Sequence, residues 1–495
     1  MKKFVYYFQI TIFTFISFIT MDITAQNNKN LNTDKIDINS LINTVSYFAS
    51  PKLEGRMAAS KGYFLAAEFS ANKFKKYGLK PINNDSYYQY FNVEYNEIKE
   101  PILFKVIDSE KEYKLGRDFI FRGFSGGGNV TGEVVFCGYG ISQPEIGYDD
   151  YQNIDVKNKI VMVFKYHPRW SNEKGKFVNS NPREKAAIAF NHGAKAILFV
   201  SFPNDKEPQK PIGSVISGSG EQNINFPELH IDLSVAGDLF NGLGISLNEI
   251  QTKIDSTKSP YSINLNKKVN ILVKTEYSKE KETVNIIGYI PGINDKLKDE
   301  YVILGAHLDH VGKQGDTLYF PGANDNASGS AALLEIAKAF SLSDIKPKRT
   351  IVFILFSSEE SGLHGAEFYV NNPIFPLEKT VAMLNMDCIA YGDSIQLGNG
   401  KSSPVLWTLA KNIDKQNDNF TVNHTWSGGG ADATPFHKKG IPTLYFVTTN
   451  SYDHLHYMTD KPETLNRNLF HKITKLVYLT MFNLSEGNYL KEIVK

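Results

Sequence analysis

The segment "EYVILGAHLDHVG", residues 300–312, decides the fold of the C-terminal part of the chain. It opens with an apolar run and ends with His307, Asp309 and His310, which are polar and able to bind metal. A short apolar run of this kind, bounded by glycine and polar residues, is typical of a strand that is buried on both faces. Similar runs follow and alternate with helical patterns. Together they predict an α/β fold with a mixed, largely parallel sheet flanked by helices.

Three further apolar runs also end in polar side chains. These residues are Glu359 and Glu360 in "IVFILFSSEE" (351–360), Asp387 in "KTVAMLNMDCIAYG" (379–392), and Asp453, His454, His456 and Asp460 in "IPTLYFVTTNSYDHLHYMTD" (441–460). A fifth segment, "PGANDNASGSAALLEIAKAF" (321–340), places Asp325 just before a predicted helix. Ligands of open parallel sheets bind beyond the carboxyl ends of the strands, so we expect these side chains to meet at one edge.

The combination of side chains at that edge is typical of a metal site. Any one of them alone is more often a surface charge or a hydrogen-bonded histidine, and their shared position at strand ends favours the functional interpretation. A set of histidine, aspartate and glutamate donors suits two zinc ions that share one carboxylate. The adjacent acids Glu359 and Glu360 then need not repel each other, because two dications offset their charge.

Composition narrows the class of protein. The hydrophobic and charged fractions, 42% and 22%, are those of an ordinary globular chain. A formal net charge of +1 gives no indication of a nucleic-acid partner. The two cysteines, Cys137 and Cys388, are too few for a cysteine zinc cluster. Both lie in apolar runs and are interpreted as buried free thiols, with a disulfide as the alternative.

Residues 1–25 are predicted to be a signal peptide, because two lysines precede an apolar run and Ala25 closes an I-T-A cleavage site. A retained membrane anchor is the alternative, and Gln9 and several hydroxyl groups within the run argue against it. No later segment is long and apolar enough to span a membrane. We therefore expect an extracytoplasmic protein, periplasmic or secreted, without a stable membrane span after removal of the signal.

The rest of the chain is long enough for more than one folding unit. Residues 26–120 are predicted to be a helical leader that packs on the C-terminal domain, since "KGYFLAAEFSANKFKKYG" (61–78) has the spacing of an amphipathic helix. Residues 121–265 are predicted to form a β-rich insert, and residues 266–495 the domain with the strand-end residues. An insert of this size is too large for a loop and must pack as its own unit.

Five motifs in order resemble the co-catalytic di-zinc aminopeptidases, a family that includes glutamate carboxypeptidase and the transferrin receptor. The motifs are "GAHLDHVG", "GANDNASGSAALLE", "SSEESGLHGAEFY", "NMDCIAYG" and "HYMTD", within residues 284–480. The resemblance implies the phosphorylase/hydrolase-like fold of zinc peptidases. The insert resembles a protease-associated domain at "EVVFCGYGI", "NKIVMVFKY" and "KAAIAFNHGAKAILFV".

The resemblance also implies a metal centre with two Zn²⁺ per chain. One zinc is assigned to His307 and Asp387, the other to Glu360 and His456, with Asp325 bridging. His454 is the alternative to His456, which has the family's spacing to Asp460. His310 is expected to be structural.

The implied activity is that of a metallo-aminopeptidase acting on peptide substrates. Glu359 is implied to be the general base and acid that works with a metal-bridging hydroxide at an N-terminal peptide bond. Asp309 is implied to orient His307 and raise its basicity. Asp432 is a candidate structural or supporting acid. The preferred side chain and the oligomeric state are not predicted.

Three other functions stay open. The same residues could serve a carboxypeptidase of the same family. A single-zinc glutaminyl cyclase shares the fold but does not need the full set of ligands. A catalytically silent binding protein is the third alternative, and the complete ligand set together with Glu359 argues against it.

Overall fold

The computed structural model describes residues 33–170, 177, 181–218 and 220–494. The predicted signal peptide, residues 1–25, lies outside this part of the chain. Among the described residues, the helices are too short or too polar to cross a lipid bilayer. Cys137 and Cys388 are both buried and free, as predicted.

Ten α-helices are found among the described residues. They are α1 (Ile38–Phe48), α2 (Lys61–Lys76), α3 (Pro182–Asn191), α4 (Leu233–Phe240), α5 (Leu247–Thr257), α6 (Gly329–Ser341), α7 (His364–Asn371), α8 (Pro404–Gln416), α9 (Ala433–Lys438) and α10 (Arg467–Ser485).

The same residues contain long strands and several two-residue strands. They are β1 (Lys80–Pro81), β2 (Tyr88–Val106), β3 (Phe119–Phe121), β4 (Gly128–Cys137), β5 (Ser142–Gln143), β6 (Tyr148–Asp149), β7 (Ile160–Phe164), β8 (Ala196–Val200), β9 (Glu228–Ile231), β10 (Ser262–Ile290), β11 (Tyr301–His307), β12 (Lys313–Gln314), β13 (Leu318–Tyr319), β14 (Thr350–Phe356), β15 (Thr380–Met386), β16 (Ile395–Gly398) and β17 (Thr443–Thr448).

The C-terminal part of the sheet is mostly parallel. Strand β11 pairs in parallel with β14 on one side and β15 on the other, and β15 pairs in parallel with β17. Strands β10 and β16 add antiparallel partners at β14 and β17. The predicted mixed, largely parallel sheet is therefore confirmed.

Helices cover both faces of this sheet. Val302 and Leu304 of β11 pack into the apolar cluster that contains residues of α1, α2, α6, α8 and α10. Ile303 between them packs on the opposite face, with residues of α7 and α9. Successive strand residues point to opposite faces, so strands covered on both sides need apolar residues on both, and β11, β14, β15 and β17 consist mostly of apolar residues.

The N-terminal leader is only partly helical. Helices α1 and α2 agree with the prediction, but Tyr88–Val106 is a strand of 19 residues, so the helical prediction is wrong in this part of 26–120. Buried and less buried residues alternate along the first half of β2, and a period of two favours a strand over a helix.

A long antiparallel ribbon joins the two halves of the molecule. Strand β10 runs for 29 residues and pairs with β2 along most of its length. Its first half pairs with β4 and its last five residues pair with β14. The predicted boundary between 265 and 266 falls inside β10, which is shared by both parts of the sheet.

The region 121–265 contributes a second parallel part of the same sheet. Strands β4, β7, β8 and β9 pair in parallel in that order, and β3 pairs antiparallel with β9. Two apolar clusters lie on its faces, one with residues of α4 and α5 and the other with residues of α3. The domain boundaries and the protease-associated assignment stay predictions.

Candidate metal centre

The predicted site residues meet at the carboxyl edge of β11, β14, β15 and β17. Strand β11 ends at His307, and Asp387 follows directly after β15. Glu359 and Glu360 lie three and four positions beyond the end of β14 at Phe356. His456 lies in the loop after β17. Parallel strands end at the same edge, so residues far apart in sequence come together there.

Asp325 lies between two groups of possible metal ligands. It precedes α6, and its Oδ1 is 3.5 Å from Nε2 of His307. Its Oδ2 is 3.2 Å from Nε2 of His456. The two oxygens of one buried carboxylate therefore face two different histidines, which is the arrangement expected of a shared ligand.

Each histidine has a second carboxylate nearby. Nε2 of His307 is 3.2 Å from Oδ1 of Asp387, and Nε2 of His456 is 2.9 Å from Oε2 of Glu360. Among the described residues, the side chains that could hold an ion form two groups centred on the histidines, one of His310, Asp325, Glu360 and His456 and one of His307, Glu359 and Asp387; Asp325 and Asp387 also form a third group with Cys388.

This donor set fits zinc. Imidazole nitrogens and carboxylate oxygens are donors that zinc takes in proteins. The site also buries several carboxylates in one place, and buried carboxylates are costly unless they are paired or bind cations. Divalent cations between the two groups would offset that charge.

Glu359 and Glu360 are neighbours whose side chains point to different groups. Oε2 of Glu359 is 3.9 Å from His307, whereas Glu360 contacts His456 and His310. The residue before them, Ser358, has φ +59°, which turns the chain at the end of the strand. The pair can thus perform two separate tasks.

Their electrostatic surroundings differ as well. Burial raises the pKa of Glu359 well above its usual range, and the neighbouring Glu360 adds to the increase, while His307 opposes it. Burial also acts to raise the pKa of Glu360, but His456 and hydrogen bonds from both His310 and His456 hold it well below its usual range. Glu359 is therefore the acid of the pair that is suited to carry a proton.

Asp309 holds the backbone of these two acids. Its carboxylate accepts hydrogen bonds from the N–H groups of Glu359 (3.2 Å) and Glu360 (3.4 Å). Its carbonyl oxygen is 3.2 Å from Nδ1 of His307, while the nearest carboxylate oxygen is 4.0 Å from that nitrogen. In this structure the expected contact to His307 is made by the backbone of Asp309, and its side chain fixes the Glu359–Glu360 turn. Burial raises the pKa of Asp309 to about 7.

His310 was expected to have only a structural role. In the structure it lies in direct contact with one of the two ligand groups. It is fully buried, and its Nδ1 is 2.8 Å from Oε1 of Glu360 and 3.6 Å from Oδ2 of Asp325. Its Nε2 is buried without a hydrogen-bond partner among the described residues. The position of His310 beside Asp309 in "GAHLDHVG" was the available signal.

The structure distinguishes the two histidines of the last loop. His456 faces Asp325 and Glu360. His454 instead places its Nδ1 2.9 Å from Oγ1 of Thr459, away from the two ligand groups. Of the pair, His456 is the one in a position to bind the metal.

Two supporting residues were not predicted to support the site. Arg56 is completely buried, and its guanidinium donates to the carbonyl oxygens of Leu308 and Gly322, next to the ligand-bearing loops. Burial lowers the pKa of Arg56 to about 10. Tyr445 of β17 donates its hydroxyl to Oδ2 of Asp387 at 3.0 Å. A tyrosine within an apolar strand gives no sequence signal of such a role.

Two further acids complete the surroundings. Asp460 accepts hydrogen bonds from the backbone N–H groups of Asn324 (2.8 Å) and Asp325 (3.0 Å), so it holds the segment that carries the shared carboxylate. Asp432 is buried and its carboxylate has no hydrogen-bond partner among the described residues. Burial raises the pKa of Asp432 well above its usual range, while the nearby His307 opposes the increase.

Comparisons with known proteins agree with this geometry. Residues 285–481 match the model of Peptidase family M28. A glutamate carboxypeptidase 2 homolog from Caenorhabditis briggsae is 30% identical over 231 residues, which cover 40% of this chain and 29% of that protein. Aminopeptidase YwaD from Bacillus subtilis (strain 168) is 25% identical over 343 residues, which cover 67% of this chain and 62% of that protein.

The fold is also found in a solved structure. BSAP, a zinc aminopeptidase from Bacillus subtilis, superposes with a TM-score of 0.64 at 18% identity, covering 93% of this chain and 98% of that one. At this identity the likeness shows the fold. The aligned regions span less than two thirds of the length of both curated relatives. The segment that matches the model of Peptidase family M28, residues 285–481, contains all the predicted site residues.

Proposed function

We propose that the protein is a zinc-dependent exopeptidase that releases residues from the amino end of peptides and uses two zinc ions per chain. The observation that carries this proposal is the position of Asp325, whose two carboxylate oxygens face His307 and His456 separately. Support comes from the family match and from the names of relatives, which include aminopeptidase YwaD and a zinc aminopeptidase.

The residues divide into two ligand groups in this proposal. His307 and Asp387 hold one ion, Glu360 and His456 hold the other, and Asp325 contributes to both. The chemistry that zinc supplies in such sites is polarisation of a carbonyl group and activation of water. Tyr445 and Asp309 keep Asp387 and the Glu359–Glu360 turn in place through the hydrogen bonds described above.

Glu359 is proposed to move the proton. It accepts a proton from the attacking water and passes it to the amine that leaves. Its pKa, raised by burial, makes it a stronger base than an exposed glutamate, and its carboxylate lies on the His307 side of the centre. General acid–base help of this kind contributes about 10²–10⁴-fold to a rate.

A preference for the amino end would follow from charge. The site concentrates buried carboxylates, and carboxylates favour a cationic ammonium group through charge-assisted hydrogen bonds.

The insert is proposed to restrict access to the metal centre from one side. A cavity of about 1170 Å³ is lined by Gln209 and Lys210 of the insert and by Tyr452 and Tyr457 of the loop that carries His456.

The remaining parts of the proposal concern location and organisation. Residues 1–25 are proposed to be a signal peptide, which would place the mature protein outside the cytoplasm. Residues 26–120 form the leader, 121–265 the protease-associated insert and 266–495 the catalytic domain.

The test compares matched peptides with and without zinc. A peptide with a free amino end should lose one residue at a time, and its N-acetylated twin should resist. Amidation of the carboxyl end should leave the rate unchanged. Removal of zinc by a strong chelator should abolish hydrolysis, and added zinc should restore it. Internal cleavage of the acetylated peptide, or release from the carboxyl end, would contradict the aminopeptidase proposal, and the second result would favour a carboxypeptidase.

A further inference from the structure

A loop of the insert reaches the residue that faces both Asp325 and Glu360. Residues 202–216, here called the insert loop, follow β8. Within this loop, the N–H of Gly213 donates a hydrogen bond of 2.9 Å to the carbonyl oxygen of His456. Tyr457, the next residue, lines the same cavity as Lys210 of this loop. The insert therefore contacts the backbone beside the imidazole, and not only the surface of the cleft.

The backbone at His456 needs such support. His456 has φ +59°, in the left-handed region that residues other than glycine rarely adopt. A residue in that conformation persists only where its surroundings hold it. The hydrogen bond from Gly213 fixes the peptide group that follows His456, and with it the direction of the side chain.

The insert loop also packs on the two other ligand-bearing segments. A Cβ added at Gly213 would lie 2.7 Å from Cγ2 of Val311 and 3.0 Å from Cδ1 of Phe320, so glycine allows the close approach. Val215 belongs to the same apolar cluster as Val311 and Phe320. Val311 follows the His307–His310 segment, and Phe320 precedes the segment of Asp325.

The other end of the insert loop is anchored inside the insert. Ser201 donates its hydroxyl to the carbonyl oxygen of Gln209 at 2.6 Å, and Tyr166 donates to Oε1 of Gln209 at 2.6 Å. Nζ of Lys165 donates to the same amide oxygen. Ser214 accepts a hydrogen bond of 3.0 Å from the N–H of Gly123. The loop is thus fixed at both ends and can transmit the position of the insert sheet to His456.

We propose that residues 209–215 are a brace that positions His456, with Gly213 as the positioning residue, so that the insert sets the affinity of one of the two metal positions. The inference rests on the proposed role of His456 as a ligand. It assigns to the insert a function in the metal centre itself. The position formed by Glu360 and His456 depends most directly on the brace, because Gly213 hydrogen-bonds to His456 itself, whereas the brace meets the His307 segment only through the packing of Val311.

The experiment measures zinc affinity by competition with a chromophoric chelator, using the full chain. Gly213→Ala should weaken one zinc site by about 10–100-fold, the range typical of groups that support metal ligands, and weaken the other site clearly less. Gly237→Ala is the matched control, because it lies in α4 of the same insert and a Cβ there meets nothing within 4 Å. It should bind both ions as the wild type does.

A compensating variant separates positioning from general damage to the fold. Val311→Ala removes the methyl group that an alanine at 213 would approach most closely, at 2.7 Å, and leaves the contact of 3.0 Å with Phe320, so Gly213→Ala/Val311→Ala should recover part of the lost affinity. Equal weakening of both sites, no recovery in the double variant, or wild-type affinity in Gly213→Ala would each overturn the brace. The unfolding midpoint of the metal-free proteins, measured in parallel, checks that each variant is folded.

His456→Ala separates this proposal from the one on which it rests. Loss of one zinc site in His456→Ala with no effect of Gly213→Ala would leave the ligand assignment intact and refute the brace. Two unchanged sites in His456→Ala would refute the ligand assignment itself.

Discussion

The molecule contains two sets of parallel strands, and the residues at their carboxyl ends differ in kind. After β11, β14 and β15 come His307, Glu359 and Asp387, whose side chains converge around Asp325. After β7 and β8 of the insert come Lys165 and Ser201, both of which hydrogen-bond to Gln209 of the same unit. The carboxyl edge of a parallel sheet is a place where a ligand can bind, but the donors that the sequence places there decide whether one does.

The surroundings of the buried ionisable groups also differ between the two edges. In the insert, burial lowers the pKa of Lys165 well below its usual range and that of Arg122 to about 10, which favours the neutral form of the lysine. At the metal centre, acids and histidines instead face one another: Nε2 of His307 is 3.2 Å from Asp387, and Nε2 of His456 is 2.9 Å from Glu360. Substitutions at the two edges should therefore have effects of different kinds.

The largest effect is expected from Asp325→Ala. This carboxylate faces both histidines, so its removal should cost both zinc ions and reduce hydrolysis to background. Zinc content after dialysis is the measurement, and Asp316→Ala, an exposed aspartate nearby, is the control. Retention of two tightly bound ions in Asp325→Ala would show that this residue is not shared.

Glu359→Gln should abolish turnover without removing metal. The amide keeps the size of the side chain but cannot accept the proton, so the rate should fall by about 10²–10⁴-fold while zinc content stays near that of the wild type. The neighbouring Glu360→Gln is the matched variant, and it should lose zinc from one position. If the two variants showed the opposite pattern, the roles of the two acids would have to be exchanged.

Much of this centre could be predicted because the ends of buried strands can be recognised in the sequence. The apolar runs fix where β11, β14, β15 and β17 end, and parallel pairing brings those ends together. His307, Asp387 and the Glu359–Glu360 pair therefore follow from pattern alone. The choice of His456 over His454 rested on family spacing, and the structure places His456 accordingly.

The supporting contacts could not be predicted, because they depend on side-chain directions and on long-range packing. Arg56 reaches the carbonyl oxygen of Leu308 from 252 residues away in sequence. His310 was not assigned to the metal centre because five ligands already formed a complete set. In the structure it contacts Glu360. The prediction of a helical leader extends too far along the chain. The helical spacing ends at α2, and the residues of β2 follow a period of two instead.

Tyr445→Phe should have a smaller effect, limited to one metal position. The hydroxyl that is lost donates to Asp387, and loss of such a supporting hydrogen bond typically weakens metal binding by about tenfold or more. Chelator competition should show one weakened site. Tyr478→Phe is the control, because this buried hydroxyl in α10 has no hydrogen-bond partner among the described residues. Equal zinc affinities in Tyr445→Phe and Tyr478→Phe would show that the hydroxyl of Tyr445 does not support metal binding.

The smallest effect on catalysis is expected at the insert edge, where Asp150→Asn should change only the pH dependence of stability. The carboxylate of Asp150 accepts hydrogen bonds from the N–H groups of Tyr139 and Ile141, both 3.0 Å, just after β4. These bonds and the nearby Lys185 favour the charged form, but burial outweighs them and raises the pKa of Asp150 from 3.8 to about 8. Protonated Asp150 therefore belongs to the folded state near neutral pH.

The sign follows from the direction of the shift. The contribution of Asp150 to stability is fully present below its unfolded pKa near 4 and is lost as the pH rises through about 8. Lys185 acts in the other direction, since burial lowers its pKa to about 7 and its contribution is lost as the pH falls through that value. At about 1.4 kcal/mol per pKa unit, the change assigned to Asp150 amounts to a few kcal/mol.

Asparagine cannot ionise, so the free energy of unfolding of Asp150→Asn, relative to the wild type, should rise between about pH 4 and pH 8 and then level off. Urea unfolding followed by the fluorescence of Trp170, with Trp407 and Trp426 replaced by Phe in both proteins, reports on the insert. Lys185→Met in both backgrounds separates the contribution of the lysine. Hydrolysis per folded molecule should be unchanged, because the titration of Asp150 is expected to change the stability of the insert and not the chemistry of the metal centre. A difference in stability that stays constant with pH would contradict the raised pKa, and a loss of activity would contradict the division of roles between the two edges.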